Sequence, residues 1–182
     1  MIAIQRVEPR VSQQLALMVP RPAIRPLTQA DADSASQVAR EAFSRYVAPD
    51  WEVNACEHFN AHSTPEVMRE SLQCPAYAAG AFAGASLVAF ILMPQPSLVG
   101  MLFVRPAAIR QGVGRQLWEC ARAHIEQSFP KVVTVELNSS PHATSFYRRL
   151  GFVPISAEYR RAGSRATRMA CWLPARSLGA AL

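Results

Sequence analysis

The most informative stretch of this sequence reads VRPAAIRQGVGR and spans residues 104–115. The residues just before it are typical of a strand, and Gly112 and Gly114 open a predicted long helix. The first N–H groups of a helix lack partners within it and, with the positive end of the helix dipole, attract phosphate oxygens. Glycine lets the backbone approach an anion closely, and Arg110 and Arg115 add positive charge. We therefore predict a phosphate-binding loop between a strand and a helix.

Two common nucleotide-binding motifs do not fit this loop. A Walker loop would continue with Lys and then Ser or Thr, which do not follow Gly114 here. A dinucleotide fingerprint would carry a third glycine where Leu117 stands, and the loop after the strand is long for that motif. The glycine pair is weak by itself, so a second motif is needed to identify the ligand.

A second informative stretch reads ELNSSPHATSFYRRLGF and spans residues 136–152. It begins at the end of a Val-rich predicted strand, Lys131–Leu137. Ser140 is a good N-cap and Pro141 a good first helical residue, while Gly151 is placed to end the helix. The pattern predicts a strand, a short capped helix and a further strand.

Hydrophobic periodicity predicts the remaining elements. A capping box at Thr28 and Asp31 starts a helix with apolar residues at helical spacing, and Trp51–Gln73 holds one or two short helices. The uncharged residues 75–94 are long enough for a membrane span, but their glycines favour two core strands joined at residues 83–85. The predicted strands are Arg21–Leu27, Ala76–Ala83, Ser86–Met93, Leu98–Val104, Lys131–Leu137, Phe152–Tyr159 and Ala166–Leu173.

Length and composition favour one folded domain. The chain has 182 residues, of which 50% are hydrophobic and 18% charged, the balance of a globular protein. We place the domain at residues 21–174, between an N-terminal extension (1–20) and a C-terminal tail (175–182). The extension lacks the continuous apolar core of a signal peptide. The four cysteines form no C-x-x-C pair, so reduced thiols and a cytoplasmic location are expected.

The net charge of +6 is unevenly distributed along the chain. Between Thr28 and Glu70 there are eight acidic and three basic residues, whereas from Ser71 onward there are four acidic and twelve basic residues. One half could suit a cationic ligand and the other a polyanionic one. Ordinary solvated surface is the simpler interpretation, and charge alone favours it.

Taken together, the two stretches resemble the second half of the GNAT superfamily of N-acetyltransferases. The residues from Leu102 to Leu117 are similar to that family's pyrophosphate-binding motif. The sequence Asn138-Ser139-Ser140-Pro141, with Tyr147 and Leu150-Gly151-Phe152, is similar to the neighbouring motif that closes the cofactor cleft. The resemblance covers residues 21–173 and is strongest over residues 98–152. Two motifs in this order and at this separation are far more specific than either alone.

This resemblance implies a fold and a cofactor. The fold is mixed α/β: a twisted mixed sheet of about seven strands, splayed between the fourth and fifth and flanked by helices, with acyl-CoA in the opening. The backbone of Leu102 and Val104 would face the pantetheine and the acetyl carbonyl, and Asn138 would hydrogen-bond the pantetheine arm. No metal is implied. The full implied set of cofactor-binding residues is Leu102, Phe103, Val104, Arg110, Gln111, Gly112, Val113, Gly114, Arg115 and Asn138.

The activity implied is transfer of an acetyl group from acetyl-CoA to a primary amine, by direct attack in a ternary complex. Tyr147 matches the tyrosine that protonates the departing CoA thiolate in many members, although a core tyrosine on an amphipathic helix would look the same in sequence. Ile109 departs from the family pattern, which usually has Gln or Arg there. Its neighbour Arg110 is the expected substitute.

The acceptor and the general base stay open at this stage. Four acids lie in the half expected to bind the amine, but no spacing distinguishes any of them: Glu41, Asp50, Glu52 and Glu57. His58 and His62 are four residues apart but have no evident third metal ligand. We expect a small-molecule or peptide amine as acceptor, no nucleic acid or membrane partner, and leave a homodimer open. The alternatives are an aminoacyl-tRNA or protein acceptor, and a non-catalytic acyl-CoA-binding or partner-binding module.

Overall fold

Eight strands, five α-helices and four short 3₁₀ helices form the part of the chain that the computed structural model describes, residues 21–174. The predicted extension and tail (1–20 and 175–182) lie outside the described residues. The strands are β1 (Ala23–Pro26), β2 (Tyr77–Ala83), β3 (Ser86–Met93), β4 (Met101–Val104), β5 (Thr134–Ser139), β6 (Val153–Pro154), β7 (Tyr159–Arg161) and β8 (Ser164–Trp172). The helices are α1 (Ala32–Tyr46), α2 (Val53–Ala61), α3 (Pro65–Ser71), α4 (Val113–Ser128) and α5 (Thr144–Arg149).

The entry to α1 confirms the predicted capping box. The backbone N–H of Thr28 donates to Asp31 Oδ2 at 2.9 Å, and the Asp31 carboxylate also accepts two hydrogen bonds from Arg25, at 2.7 and 2.9 Å. The Arg25 guanidinium, more than any other neighbour, lowers the pKa of Asp31 to about 2. These contacts tie β1 to the start of α1 through one charged group.

The strands form two sheets. One is antiparallel throughout, in the order β1-β2-β3-β4, and the other has the order β5-β8-β6 with β7 paired to β8. The uncharged residues 75–94 form the β2–β3 hairpin, as predicted, and Gly84 turns it with a φ of 60°. Within the described residues, no helix is long and apolar enough to cross a membrane.

Among residues 21–174, backbone hydrogen bonds join the two sheets at one point, which confirms the predicted splay between the fourth and fifth strands. The N–H of Val99 donates to Glu136 O at 2.9 Å, and the N–H of Glu136 donates to Ser97 O at 2.8 Å. Beyond this join, β4 and β5 have no ladder between them, since β4 pairs with β3 and β5 with β8. The strands therefore form the two arms of a V-shaped gap.

The strand predicted over residues 152–159 is divided in the structure. Only Val153 and Pro154 pair with β8 as β6, and pairing resumes at β7. The break has a local cause, because the N–H of Arg168 donates to the Ser156 hydroxyl at 3.1 Å instead of to a backbone carbonyl. The count is therefore eight strands rather than about seven.

Helices cover both faces of the β1–β4 sheet. Helix α1 packs on one face through the apolar stripe predicted from its sequence, and α4 packs on the other. Side chains along β4 alternate between these two layers. Met101 and Phe103 pack in the α1 layer, whereas Leu102 and Val104 pack in the α4 layer.

Candidate functional site

The free edge of β4 presents backbone groups to the V-shaped gap. The N–H of Arg105 donates to Val88 O at 2.8 Å, so odd-numbered residues of this strand turn their peptide groups towards β3. Because peptide groups alternate in an antiparallel pair, those of Leu102 and Val104 point to the gap. Contact of both residues with the pantetheine and the acetyl carbonyl stays a prediction. The peptide groups of Phe103 instead pair with β3, and its ring packs near Phe59.

The loop between β4 and α4 has the backbone shape of an anion cradle. Arg110 and Gly112 have positive φ angles of 65° and 78°, and Gly112 is the N-cap of α4. The N–H of Gln116 makes the first bond of the helix, to Gly112 O at 3.1 Å. The N–H groups of residues 113–115 precede that bond and have no partner within the helix. A Cβ built on Gly112 would meet nothing within 4 Å, so the space beside this loop is open.

Two arginines and a glutamine complete the loop. Arg110 and Arg115 are exposed and form no ion pair with any residue in the range 21–174. Gln111 Nε2 donates to Ala107 O at 2.9 Å, which braces the loop from within. Ile109 is 37% exposed and contributes no polar group. The polar group that the family usually has at this position would therefore have to come from its neighbour Arg110.

At Gly114, the start of α4 packs closely against β4 and against α5, which belongs to the second sequence motif. A Cβ at this buried residue would lie 3.0 Å from Cζ of Phe146 and 3.4 Å from Cγ2 of Val104. The glycine thus lets the start of α4 approach both β4 and α5 closely. Because Tyr147 follows Phe146, this contact also fixes the position of the predicted catalytic tyrosine relative to the loop.

Tyr147 lies in the core with one edge near the surface. It is 8% exposed, and its ring packs on Phe146 and Phe152 at centroid distances of 5.2 and 5.6 Å. No residue in the range 21–174 forms a hydrogen bond with its hydroxyl. Burial raises the pKa of Tyr147 well above its usual value, so the phenol stays protonated at neutral pH.

On β5, the peptide groups of Glu136 form the join to the other sheet. Because peptide groups alternate along a strand, those of Asn138 are the next to point to the gap. Its side chain lies on the face opposite the buried Leu137, because side chains alternate along a strand. The Tyr159 hydroxyl donates to Asn138 Oδ1 at 3.0 Å. Sequence reasoning found Asn138 but not Tyr159, which is 21 residues away and belongs to no recognisable motif.

Near the Tyr159–Asn138 hydrogen bond, the residues just before α2 contact the β7–β8 hairpin. Trp51 Nε1 donates to Arg165 O at 3.2 Å, and the N–H of Glu52 donates to Gly163 O at 3.0 Å. Nearby, Tyr46 at the end of α1 stacks on His142 at a centroid distance of 4.6 Å. These contacts join the two halves of the protein on the α1 side of the sheets.

Most of the acids considered as general bases are ion-paired. The carboxylates of Glu41, Asp50 and Glu52 lie 2.6, 3.5 and 4.0 Å from Arg105, Arg165 and Arg160, respectively. Glu57 is exposed and has no ion pair within residues 21–174. The acid-rich and base-rich halves of the sequence therefore neutralise one another in part. Three of the eight acidic residues in the range 28–70 are paired with the base-rich half in this way.

The His58 and His62 rings lie 4.0 Å apart, but His62 Nδ1 is 2.8 Å from the carbonyl oxygen of His58. Across the described residues, no group of three His, Cys, Asp or Glu side chains could hold a metal ion.

Comparison with known proteins identifies the family. The acetyltransferase (GNAT) domain family matches residues 47–173, which is more than half of the chain. No curated protein matches the chain in sequence.

Solved structures share the fold. A GCN5-related N-acetyltransferase from Rhodopseudomonas palustris matches with a TM-score of 0.74 at 19% identity, over 86% of this chain and 98% of that one. PaiA N-acetyltransferase from Thermoplasma acidophilum, in complex with coenzyme A, matches with a TM-score of 0.70 at 20% identity, over 83% and 98%. The ribosomal-protein-S18-alanine N-acetyltransferase from Escherichia coli matches with a TM-score of 0.62 at 20% identity, over 88% and 97%. With its splayed sheet and its match to the domain family, this chain belongs to the GNAT acetyltransferases.

Proposed function

We propose that the protein transfers an acetyl group from acetyl-CoA to a primary amine of a small molecule or peptide, by direct attack within a ternary complex. The observation that carries this proposal is the V-shaped gap between β4 and β5. Free backbone groups line one arm of the gap, and an anion cradle follows at the end of that arm. A structural neighbour with the same fold is in complex with coenzyme A.

The residues around the gap fit the parts of coenzyme A. The N–H groups of residues 113–115 and the positive charges of Arg110 and Arg115 suit a pyrophosphate. The peptide groups of Leu102 and Val104 can pair with the amides of a pantetheine arm, much as they would with another strand. Asn138 adds a side-chain amide on the opposite arm.

The proposed chemistry is aminolysis of the thioester that acetyl-CoA supplies. A C–N bond forms, the C–S bond breaks, the amine loses a proton and the departing thiolate gains one. A backbone N–H directed at the thioester carbonyl would stabilise the negative charge that develops on its oxygen. Holding both substrates together removes much of the entropic cost of their encounter.

We assign proton delivery to Tyr147. Its hydroxyl has no partner among residues 21–174, and it stays protonated because burial raises its pKa. A general acid must carry its proton when the leaving group departs, and this phenol meets that condition over the whole physiological range. Because the phenol already carries its proton at neutral pH, it cannot take the proton of the amine, which has to go to another group.

The charges of the structure favour an amine acceptor over a nucleic acid. Four of the twelve basic residues from Ser71 onward, Arg105, Arg160, Arg165 and Arg168, each lie within 4.0 Å of a carboxylate. A nucleic-acid surface would leave such side chains available to phosphates.

The test is release of CoA thiol from acetyl-CoA in the presence of single amines. The panel should contain monoamines, polyamines, amino sugars and a peptide with a free N-terminus, because one neighbour is named for acetylating an alanine of a ribosomal protein. We expect thiol release with at least one class, matched by acetylated product in mass spectrometry. Tight CoA binding without transfer to any amine would identify a binding module instead.

A further inference from the structure

The Tyr159 hydroxyl is the sole described hydrogen-bond partner of the Asn138 side chain. It donates to Oδ1 at 3.0 Å, and no residue in the range 21–174 accepts a hydrogen bond from Nδ2. The two ends of an amide differ chemically, because the oxygen only accepts and the nitrogen only donates. With the oxygen held by Tyr159, the two N–H groups of Asn138 are left for another partner.

The neighbours of Asn138 do not compete for that oxygen. Its cross-strand partner on β8 is Arg168, whose guanidinium would be the obvious alternative donor. Arg168 donates through Nε and Nη2 to Glu136 Oε2, at 2.9 and 2.6 Å. This ion pair directs the guanidinium to Glu136, and Oδ1 is left to the Tyr159 hydroxyl.

Tyr159 itself is held in place by a braced hairpin. Strand β7 pairs with β8 with Tyr159 opposite Ala166, and the turn between them has positive φ angles at Ala162 and Gly163, 47° and 80°. The hairpin is anchored to the start of α2, because Gly163 O accepts from the N–H of Glu52 and Arg165 O from Trp51 Nε1. This support holds the backbone of Tyr159 where its hydroxyl reaches Asn138 Oδ1.

We infer that Tyr159 is a positioning residue: its hydroxyl fixes the Asn138 amide so that Nδ2 donates to the acyl-CoA arm in the gap. This inference rests on the proposed function, since it assumes that acyl-CoA occupies the gap. Without the hydroxyl, the amide can turn over and present its oxygen to a partner that also offers an oxygen. The donor would then be replaced by an acceptor, and the contact would be lost.

The first experiment measures the dissociation constant of CoA by calorimetry for the wild type, Tyr159→Phe, Asn138→Ala and the double variant. Loss of one hydrogen bond corresponds to about a 3- to 10-fold weaker affinity, and we expect this from Tyr159→Phe with little change in kcat. The double variant should bind CoA like Asn138→Ala, because Tyr159 acts through Asn138. Additive losses, or an unchanged affinity of Tyr159→Phe, would overturn the inference.

A second variant tests the orientation of the amide directly. Asn138→Asp keeps an oxygen for Tyr159 but replaces the Nδ2 donor with a second oxygen, and it should bind CoA at least as weakly as Asn138→Ala. Wild-type affinity of Asn138→Asp would show that the gap uses the oxygen, contrary to the inference. Tyr77→Phe is the matched control, since Tyr77 packs against His124 in the C-terminal half of α4; its CoA affinity and melting temperature should stay near wild type.

The two levels of inference fail in different ways. Absence of CoA binding by the wild-type protein would remove the proposed function and this inference with it. Wild-type binding of CoA together with normal binding by Tyr159→Phe would remove only the role of Tyr159. A melting temperature lowered by Tyr159→Phe in parallel with the affinity, without coupling to Asn138, would assign the tyrosine a purely structural role.

Discussion

Replacing Gly114 with valine tests the close approach on which the candidate site is built. A Cβ at this position would lie 3.0 Å from Cζ and 3.4 Å from Cε2 of Phe146, and 3.4 Å from Cγ2 of Val104. Carbon atoms prefer about 3.5–4.0 Å, so even one methyl group requires a shift of about half an ångström. Valine adds two further methyl groups to the same space.

The expected magnitudes separate alanine from valine. Gly114→Ala gains up to about 1 kcal/mol of helix propensity, which offsets much of the strain of one methyl group, so its stability should be close to wild type. Gly114→Val should lower the free energy of unfolding by about 1–3 kcal/mol through overpacking. For a domain of this size, that corresponds to a fall in melting temperature of roughly 2–4 °C per kcal/mol. The displaced Phe146 ring would carry Tyr147 with it, so acetyl transfer should also fall.

The assay is thermal unfolding of both variants with and without CoA, together with acetyl transfer to the best amine of the panel. Phe146→Leu in the Gly114→Val background removes part of the ring and should recover some of the lost stability. The packing argument is wrong if Gly114→Val melts and responds to CoA like the wild type. It is also wrong if the smaller side chain at position 146 brings no recovery.

Three further outcomes are expected. Acetyl-CoA at about a hundred times its dissociation constant should stabilise the protein by about 2.7 kcal/mol. Gly112→Val should remove most of this stabilisation, because the φ angle of 78° at Gly112 disfavours valine. An unchanged melting temperature of the wild type at millimolar CoA would contradict the assignment of CoA as the ligand. Tyr147→Phe should lower kcat by ~10²-fold or more with CoA affinity unchanged, whereas a core role predicts lower stability with near-normal turnover. The pKa of Asp31 is about 2 in the folded protein, which lies below its value in the unfolded chain. The ionised carboxylate therefore stabilises the folded protein, by about 1 kcal/mol after solvent screening. This contribution is present above about pH 4 and is lost as the pH falls towards 2. Asp31→Asn should unfold at lower denaturant than wild type at pH 7, and the difference should shrink below pH 4.

The sequence allows a prediction of the cofactor side of the candidate site because the features of that side are local. The glycines and arginines of residues 110–115 lie within one turn of the start of a helix. Such a pattern predicts an anion-binding helix start whatever the helix packs against. Asn138 and Tyr147 are predicted in the same way, through a contiguous motif, and their roles stay predictions. The capping box of Thr28 and Asp31 was confirmed for the same reason, since both partners are three residues apart.

The acceptor side could not be predicted because its contacts join distant parts of the chain. Trp51 meets Arg165 across 114 residues, and Arg105 pairs with Glu41 across 64. No local pattern marks such pairs, and the uneven charge of the two halves gave no hint that they would neutralise one another. The division of the predicted strand at residues 152–159 was missed because a single serine hydroxyl replaced one ladder bond.

The free edge of β4 in the V-shaped gap makes the protein prone to aggregation. Strand edges with unpaired N–H and C=O groups can recruit a strand from another molecule, which is how sheets begin to aggregate. Here the groups that create this hazard, the peptide groups of Leu102 and Val104, are the ones proposed to hold the pantetheine arm, so neither a proline nor a protecting charge can block them without loss of binding. The shortness of β4, only four residues, limits any foreign pairing, and an occupied gap would remove the edge altogether. Bound coenzyme A would thus protect the protein from aggregation. On heating, the protein without CoA should aggregate faster than its fraction of unfolded chains alone would predict.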